Sequence, residues 1–374
     1  MLRTTSEPIT STGTWTWSAS CTSAPSTRRC CRSPKAGGCP RHWSWTSTPP
    51  PSAIWPAPEC ISGGLLNQGQ IGKDRLVELA EELAASSVQA VVLIGGGEPL
   101  LHRSIGTVID TLFDAGLQIG LTTNGTMINR YLDQIADKVA WTRVSMDAAN
   151  ETTYPKFRPA KRGRVVFPTI IDNMRQLAAR KSGRLGYSYL LMQRYAPDGT
   201  VLDTNFHEVI EAARLAKDIG CDYFEVKTLV DDDHYTLSQK AEDIALVEGQ
   251  LAEIRTFTDD DFHLLVSNTW EKVRAGIDPV ELKEYHTCPV TELRTTITTS
   301  GVYVCPYHRG NPAGRIGDIN TTSFEQLWKN ADTTIIDPAR DCQFSCSRYP
   351  TVLQIQRMRP DDGVTLVDDF DPFF

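Results

Sequence analysis

Gln89-Ala90-Val91-Val92-Leu93-Ile94-Gly95-Gly96-Gly97-Glu98-Pro99 runs a continuous apolar segment into three glycines, a carboxylate and a proline. An apolar run of this length, without alternation, reads as a strand buried on both faces, as in parallel sheets. Glycines at its end let backbone amides and carbonyls approach a ligand, because no Cβ intervenes. The plain alternative is a tight strand-to-helix turn. The Glu-Pro that follows, on the first clear strand of the chain, favours a ligand loop at Gly96, Gly97, Glu98 and Pro99.

Working outward, the same alternation recurs. Lys73–Ser86 places Leu76, Leu79, Ala80 and Leu83 on one helical face. Ser104–Ala115 reads as a helix stopped by Gly116, Leu117–Thr122 as a strand, Met127–Ala136 as a short helix and Val139–Met146 as a strand. Helices over Phe167–Arg180, Phe206–Ile219 (closed by Gly220) and Ser238–Phe257 alternate with strands over Leu185–Met192, Asp222–Val226 and Phe262–Ser267. Such βα units imply parallel pairing through right-handed crossovers, and their number predicts an α/β fold, an open, partial (β/α)6 TIM-like barrel. Sites in such folds form at the C-terminal ends of the strands. Gly96–Pro99, Thr123-Asn124-Gly125, Ser145 and Asp147, Gln193 and Arg194, and Lys227 all fall there. Each has a plain reading as well. Asn124-Gly125 is also an ordinary turn, Ser145 and Asp147 are also helix caps, and Arg194 and Lys227 are either solvated charges or carboxylate clamps. Tyr187, Tyr189, Glu225, Lys227, Tyr307 and His308 are unranked candidates for a substrate pocket.

Four late cysteines form a second constellation. Cys288 and Cys305 are separated by sixteen residues, with Gly301-Val302-Tyr303-Val304 as a hairpin before the latter; Cys342 and Cys346 are spaced C-x3-C. Two pairs of thiolates suit a [4Fe–4S] cluster. They also suit tetrahedral Zn²⁺, although the spacing lacks the short knuckles of zinc ribbons. His308 is a possible substitute ligand, and Cys221, at a helix–strand junction, reads as a core residue.

Residues 1–58 read differently. They hold one acidic residue, Glu7, against six basic ones, with five of the eight tryptophans and nine prolines, and show no hydrophobic period. A disordered tail, a transit peptide and a loose metal-binding tail with Cys21, Cys30, Cys31 and Cys39 are the ordinary readings. The genetic code favours an out-of-frame segment. Pairing the last base of each codon with the first two of the next turns the stretch from His42 into Leu-Glu-Leu-Asp-Ile-Asn-Thr, a plausible strand, for suitable third bases. Farther on, the Ser52–Ala53 junction gives Cys, Ala53–Ile54 Asn, Ile54–Trp55 Leu, Trp55–Pro56 Ala and Pro56–Ala57 Cys. A return to frame at Pro58-Glu59-Cys60 yields C-N-L-A-C-P-E-C, a C-x3-C-x2-C string ending on Cys60.

Taken together, that string, Gly96-Gly97-Glu98-Pro99, Thr123-Asn124-Gly125 and Val144-Ser145-Met146-Asp147 resemble, in order, the radical SAM superfamily. The C-terminal part is similar to its SPASM/Twitch extension, through Gly301–Cys305, Ile316-Gly317-Asp318-Ile319, Ser323-Phe324 to Trp328, and Cys342 with Cys346. The resemblance covers residues 59–350 and divides the chain into an irregular segment 1–58, a barrel 59–285 and an auxiliary-cluster domain with its tail, 286–374. It implies a [4Fe–4S] cluster with Cys60 as a ligand and S-adenosylmethionine as cofactor. It also implies an auxiliary [4Fe–4S] cluster on Cys288, Cys305, Cys342 and Cys346. The methionine amino group would lie against Gly96–Pro99, the ribose or carboxylate near Ser145 and Asp147, and the nucleoside near Asn124. A peptide or small-molecule substrate and an electron donor such as flavodoxin or ferredoxin follow from the same resemblance. Only Cys60 of the three cluster ligands is present, with Ala53 and Ala57 at the other two places, so this chain is expected to be inactive.

The bulk composition agrees with a cytoplasmic enzyme. Hydrophobic residues make up 40% and the net charge is −8, which argues against nucleic acid as a partner. No apolar run approaches the ~18 residues of a membrane span. The reading from another class is a non-catalytic α/β protein with a structural zinc site.

Overall fold

The computed structural model describes residues 69–160, 164–196, 198–228, 240–278, 282–344 and 346–357. Cys60, the segment 1–58 and the tail after 357 lie outside the described residues.

Helix α1 (Lys73–Ala84) leads into β1 (Ala90–Leu93). Then come α2 (Ile105–Asp114), β2 (Gln118–Thr123), α3 (Leu132–Lys138), β3 (Trp141–Ser145), the short α4 (Tyr154–Phe157) and α5 (Phe167–Ala178). Strand β4 (Arg184–Leu191) runs into a hairpin of β5 (Gln193–Tyr195) and β6 (Val201–Thr204). The last units are α6 (Val209–Ile219), β7 (Tyr223–Thr228), α7 (Ala241–Arg255), β8 (His263–Val266) and α8 (Asn268–Arg274). Six strands pair in parallel in the order β1-β2-β3-β4-β7-β8, so the α/β partial-barrel expectation holds. Helix α6 ends on Gly220 at φ 93, a left-handed turn that frees its N–H for the carbonyls of Ala216 and Lys217.

The period-two alternation of each strand divides the sheet into two faces. One carries Ile119, Leu121, Val144, Leu185, Tyr187, Tyr189, Phe224 and Val226, all buried in one core with α2, α5, α6 and α7. Each such side chain contributes roughly 1.5–3 kcal/mol on burial. The other face is polar and carries the candidate site.

Two features departed from expectation. The helix expected at Met127 opens as a 3₁₀ turn, Ile128–Tyr131, before α3. The β5–β6 hairpin was missed, although Asp198-Gly199 is a turn signal between two short runs.

The C-terminal region builds an antiparallel sheet in the order β11-β10-β9, from β9 (Thr296–Thr298), β10 (Gly301–Tyr303) and β11 (Arg315–Gly317). It is fastened to α1. Arg75 Nε donates to Ile319 O (2.6 Å), and Glu82 accepts from Arg75 (2.8 and 3.0 Å) and from Phe324 N (2.7 Å). Ile319, Phe324 and Leu327 join the barrel core beneath this contact.

Candidate active site and cysteine cluster

The loop after β1 is tied to the loop after β2 by one side chain. Glu98 Oε1 accepts from Thr123 Oγ1 (2.6 Å) and Leu100 N (3.2 Å), and Oε2 accepts from Asn124 N (2.7 Å). Burial pushes the Glu98 carboxyl above its usual range, against these hydrogen bonds and the Arg158 charge. Its side chain is thus occupied in joining two loops, and the backbone of Gly96–Glu98 is what faces outward. A Cβ on Gly95 would strike Gly97 O at 2.5 Å, whereas one on Gly97 would meet nothing within 4 Å. The loop therefore folds on itself at one glycine and leaves open space at the other.

Asn124 is 7% exposed. Its Oδ1 accepts from Thr126 N (2.9 Å) and Thr126 Oγ1 (2.6 Å), while Nδ2 has no partner among the described residues. A buried donor left unmade costs about 1–3 kcal/mol, a deficit that a ligand acceptor would remove. Ser145 ends β3 on the polar face, opposite Ser188. Asp147, at φ 54 and 2% exposed, accepts from Arg158 Nε (2.5 Å) and from Leu190 N (2.8 Å). Its carboxylate is directed at Arg158 and β4.

Deeper in the barrel, two glycines make room for rings. A Cβ on Gly120 would lie 2.0 Å from the Trp141 ring, and one on Gly186 would lie 1.9 Å from the Tyr223 ring. Above these rings, Arg143 Nη1 is 3.5 Å from Glu225 Oε2 and Arg143 Nη2 donates to Thr122 Oγ1 at 3.3 Å. Lys227 Nζ is 2.8 Å from Glu225 Oε2. The Tyr223 hydroxyl is buried with no partner among the described residues. Glu225 and Lys227 are thus placed in the lumen. Tyr187 and Tyr189 are not: they lie on the opposite face, donating to Ala148 O (2.5 Å) and Asn205 O (2.7 Å). Arg194 lies on the β5–β6 hairpin, 3.0 Å from Asp203, because β4 ends before it. Arg143, Tyr223 and Arg158 were missed. Arg143 did leave a signal, as the one charge inside its strand.

The four late thiols lie close enough to act on one another. Burial pushes Cys305 up to about 12, with Arg294 opposing and Cys346 and Cys288 reinforcing. Burial also raises Cys342, reinforced by Cys305, Cys346 and Cys288, and it raises Cys288, reinforced by Cys346. His308, 1% exposed, sets Nε2 3.3 Å from Cys342 Sγ, and burial lowers its pKa to about 4. Cys221 is a buried core residue, as expected. Among the described residues, no three His, Cys, Asp or Glu side chains are set to hold a single metal ion.

A parallel sheet with a glycine loop, an unmet amide and a lined lumen at its strand C-termini defines an α/β partial-barrel protein with a candidate site at that end. Residues 68–231 match the model of the Radical SAM superfamily. The chain is 30% identical over 139 residues to a GTP 3',8-cyclase of Synechocystis sp., covering 37% of this chain and 39% of that protein. It is 26% identical over 170 residues to an AdoMet-dependent heme synthase of Methanosarcina barkeri, covering 43% of each. The chain thus spans about two fifths of these relatives. Among solved structures it resembles anSMEcpe with bound AdoMet and Kp18Cys peptide (TM-score 0.54, 12% identity, 81% of this chain and 95% of that one). It also resembles Streptococcus suis SuiB (TM-score 0.52, 13% identity, 72% and 61%). At such identities these two likenesses show the fold.

Proposed function

We propose that this chain has the body of a radical SAM enzyme, inactive as written for lack of two cluster cysteines, whose barrel rim takes S-adenosylmethionine, whose lumen takes a peptide or small-molecule substrate, and whose C-terminal cysteines hold one auxiliary [4Fe–4S] cluster. The observation that carries the reading is Asn124 Nδ2, a buried donor without an acceptor at the C-terminal end of β2, beside the open Gly97. Residues and cofactor fit here. The backbone of Gly96–Pro99 would hold the methionine amino group, Asn124 would face the nucleoside, and Ser145 would lie toward the ribose or carboxylate. Asp147 acts through Arg158, whose guanidinium, 25% exposed, it aims at the rim. When bound with a reducing cluster, S-adenosylmethionine supplies a 5′-deoxyadenosyl radical that removes a substrate hydrogen. The lumen's part is to bind and orient: Trp141 and Tyr223 form an apolar floor, and Arg143, Glu225 and Lys227 offer charge above it. The rings also exclude water. Peptide substrates are supported by the peptide in the anSMEcpe structure, small molecules by the cyclase and heme synthase relatives. The electron donor would be a flavodoxin or ferredoxin. No helix among the described residues is long and apolar enough to cross a membrane, and the protein is proposed to act in the cytoplasm.

A cluster is favoured over zinc for the C-terminal thiols because Cys288 and Cys305, sixteen residues apart, and Cys342 and Cys346, spaced C-x3-C, lack the short knuckles of zinc ribbons. The first cluster does not fit the residues present, since Cys60 stands alone. No step is assigned to it in this chain.

Anaerobic reconstitution tests both halves. The chain should bind about four iron atoms with a broad visible band and no zinc, and should form no 5′-deoxyadenosine. A chain carrying Ala53→Cys and Ala57→Cys should bind about eight iron atoms and cleave S-adenosylmethionine. A colourless zinc protein, or stoichiometric 5′-deoxyadenosine from the unaltered chain, would overturn the reading.

A further inference from the structure

His308 closes the 3₁₀ turn Pro306–His308 and is 1% exposed. Its N–H donates to Cys305 O at 2.9 Å, so the turn starts on one of the four thiol residues. The ring is held from two sides. A Cβ on Gly314 would lie 2.7 Å from His308 Cβ, so only a glycine there lets the two stretches of chain approach. The Phe344 ring meets the imidazole edge-on, with centroids 6.0 Å apart. Phe344 is fixed in turn by Tyr307, stacked on it at 4.8 Å, and by Lys283 Nζ, which donates to its carbonyl. Held in this way, the imidazole sets Nε2 3.3 Å from Cys342 Sγ and Nδ1 3.4 Å from Asn311 Nδ2.

Asn311 decides which ring nitrogen carries the proton. Its Oδ1 accepts from Ala313 N at 3.0 Å, capping the turn Pro312–Gly314. The amide therefore turns Nδ2, which can only donate, toward His308. Nδ1 accepts from it, and the proton of the neutral ring is left on Nε2, facing the sulfur. An imidazole that ligates a metal through Nε2 has the opposite need: it carries its proton on Nδ1 and gives it to an acceptor. Among the described residues Nδ1 meets a donor and no acceptor. An imidazolium would likewise set N–H against N–H at Nδ1.

We infer that His308 is not a ligand of the auxiliary cluster but a hydrogen-bond donor to the Cys342 sulfur, and that it raises the cluster's reduction potential. The inference rests on the proposal that Cys288, Cys305, Cys342 and Cys346 hold a [4Fe–4S] cluster. One-electron reduction adds negative charge to the iron and its sulfurs with no bond made or broken. An N–H aimed at one of those sulfurs forms a stronger hydrogen bond after reduction, so it favours the reduced form. His308 is a positioning residue: it acts through Cys342 and touches no substrate.

The sequence provides ligands for one complete cluster, so a single signal is read in the test. The reconstituted chain is titrated with dithionite and the reduced cluster followed by electron paramagnetic resonance. His308→Phe keeps a ring and removes the donor. It should retain about four iron atoms and make reduction about tenfold harder, a fall of about 59 mV for one electron. His308→Gln, whose amide can place an N–H where Nε2 lay, should recover most of that fall. An unchanged potential in His308→Phe, or an equal fall in His308→Gln, would overturn the inference while leaving the cluster intact. So would loss of iron from a His308→Phe chain that stays folded by circular dichroism, or a wild-type pulsed spectrum with the strong nitrogen coupling of a directly bonded imidazole, since either makes His308 a ligand. A wild-type chain with no iron and no visible band would instead sink the cluster reading itself, and the inference with it.

Discussion

At the scale of single residues, the site depends on atoms that have no room to change. Gly120 and Gly186 exist to let Trp141 and Tyr223 lie flat across the lumen floor. Gly120→Ala and Gly186→Ala should each cost about 1–3 kcal/mol, since neither ring can retreat without disturbing the packed layer. Urea denaturation measures this, and wild-type midpoints in both variants would show that the rings are loosely held. Asp147 is a second such point, held at φ 54 by Arg158 and Leu190 N. Asp147→Ala should destabilise by about 2–4 kcal/mol, less than a fully buried pair because Arg158 reaches solvent. Asp147→Asn should cost less, as asparagine tolerates the left-handed conformation and keeps an acceptor for Leu190 N. Equal losses in thermal unfolding would contradict this ordering. The glycine loop and Asn124 could be read in the sequence because each follows a strand. Arg143, Tyr223 and Arg158 could not be assigned roles there, since sheet register and the Asp147 pairing decide them.

At the scale of elements, the order of strands and helices was legible because each carries its own period and a stop signal, as at Gly116 and Gly220. The β5–β6 hairpin was not, since three- and four-residue strands are too short to show a period. Nor was the role of α1, which reads as an ordinary amphipathic helix until its polar side is seen to hold the C-terminal region. Burial alone would raise the Glu82 carboxyl, but the hydrogen bonds from Arg75 and Phe324 N, with the Arg75 charge, bring it below 4.5. A folded value below the unfolded one means that Glu82 adds stability above pH 4.5 and that this is lost as pH falls. Glu82→Gln should remove that acid limb in denaturation series run from about pH 6 to about pH 3. It should also speed amide exchange across 319–328 at neutral pH. An unchanged acid limb would show that the α1 contact contributes nothing to coupling.

At the scale of the molecule, the cysteine spacing was enough to bring the four thiols together on paper, and the structure adds what surrounds them: His308, Lys283 and stacked aromatic rings. His308 was already a candidate ligand in the sequence; Lys283 and Tyr285 could not be placed there, because they come from an irregular segment and reach this region only through folding. The hydrogen bonds from Arg75 to Ile319 O and from Phe324 N to Glu82 bear on how such proteins can be recombined. Helix α1 belongs by chain order to the barrel, yet part of its surface is finished by residues more than two hundred positions away. The seam between the two modules therefore runs along the side of a helix instead of through a linker. A cut-and-paste exchange made at residue 285 would divide a matched pair of surfaces, and a workable chimaera has to carry α1 along with whatever C-terminal module it borrows.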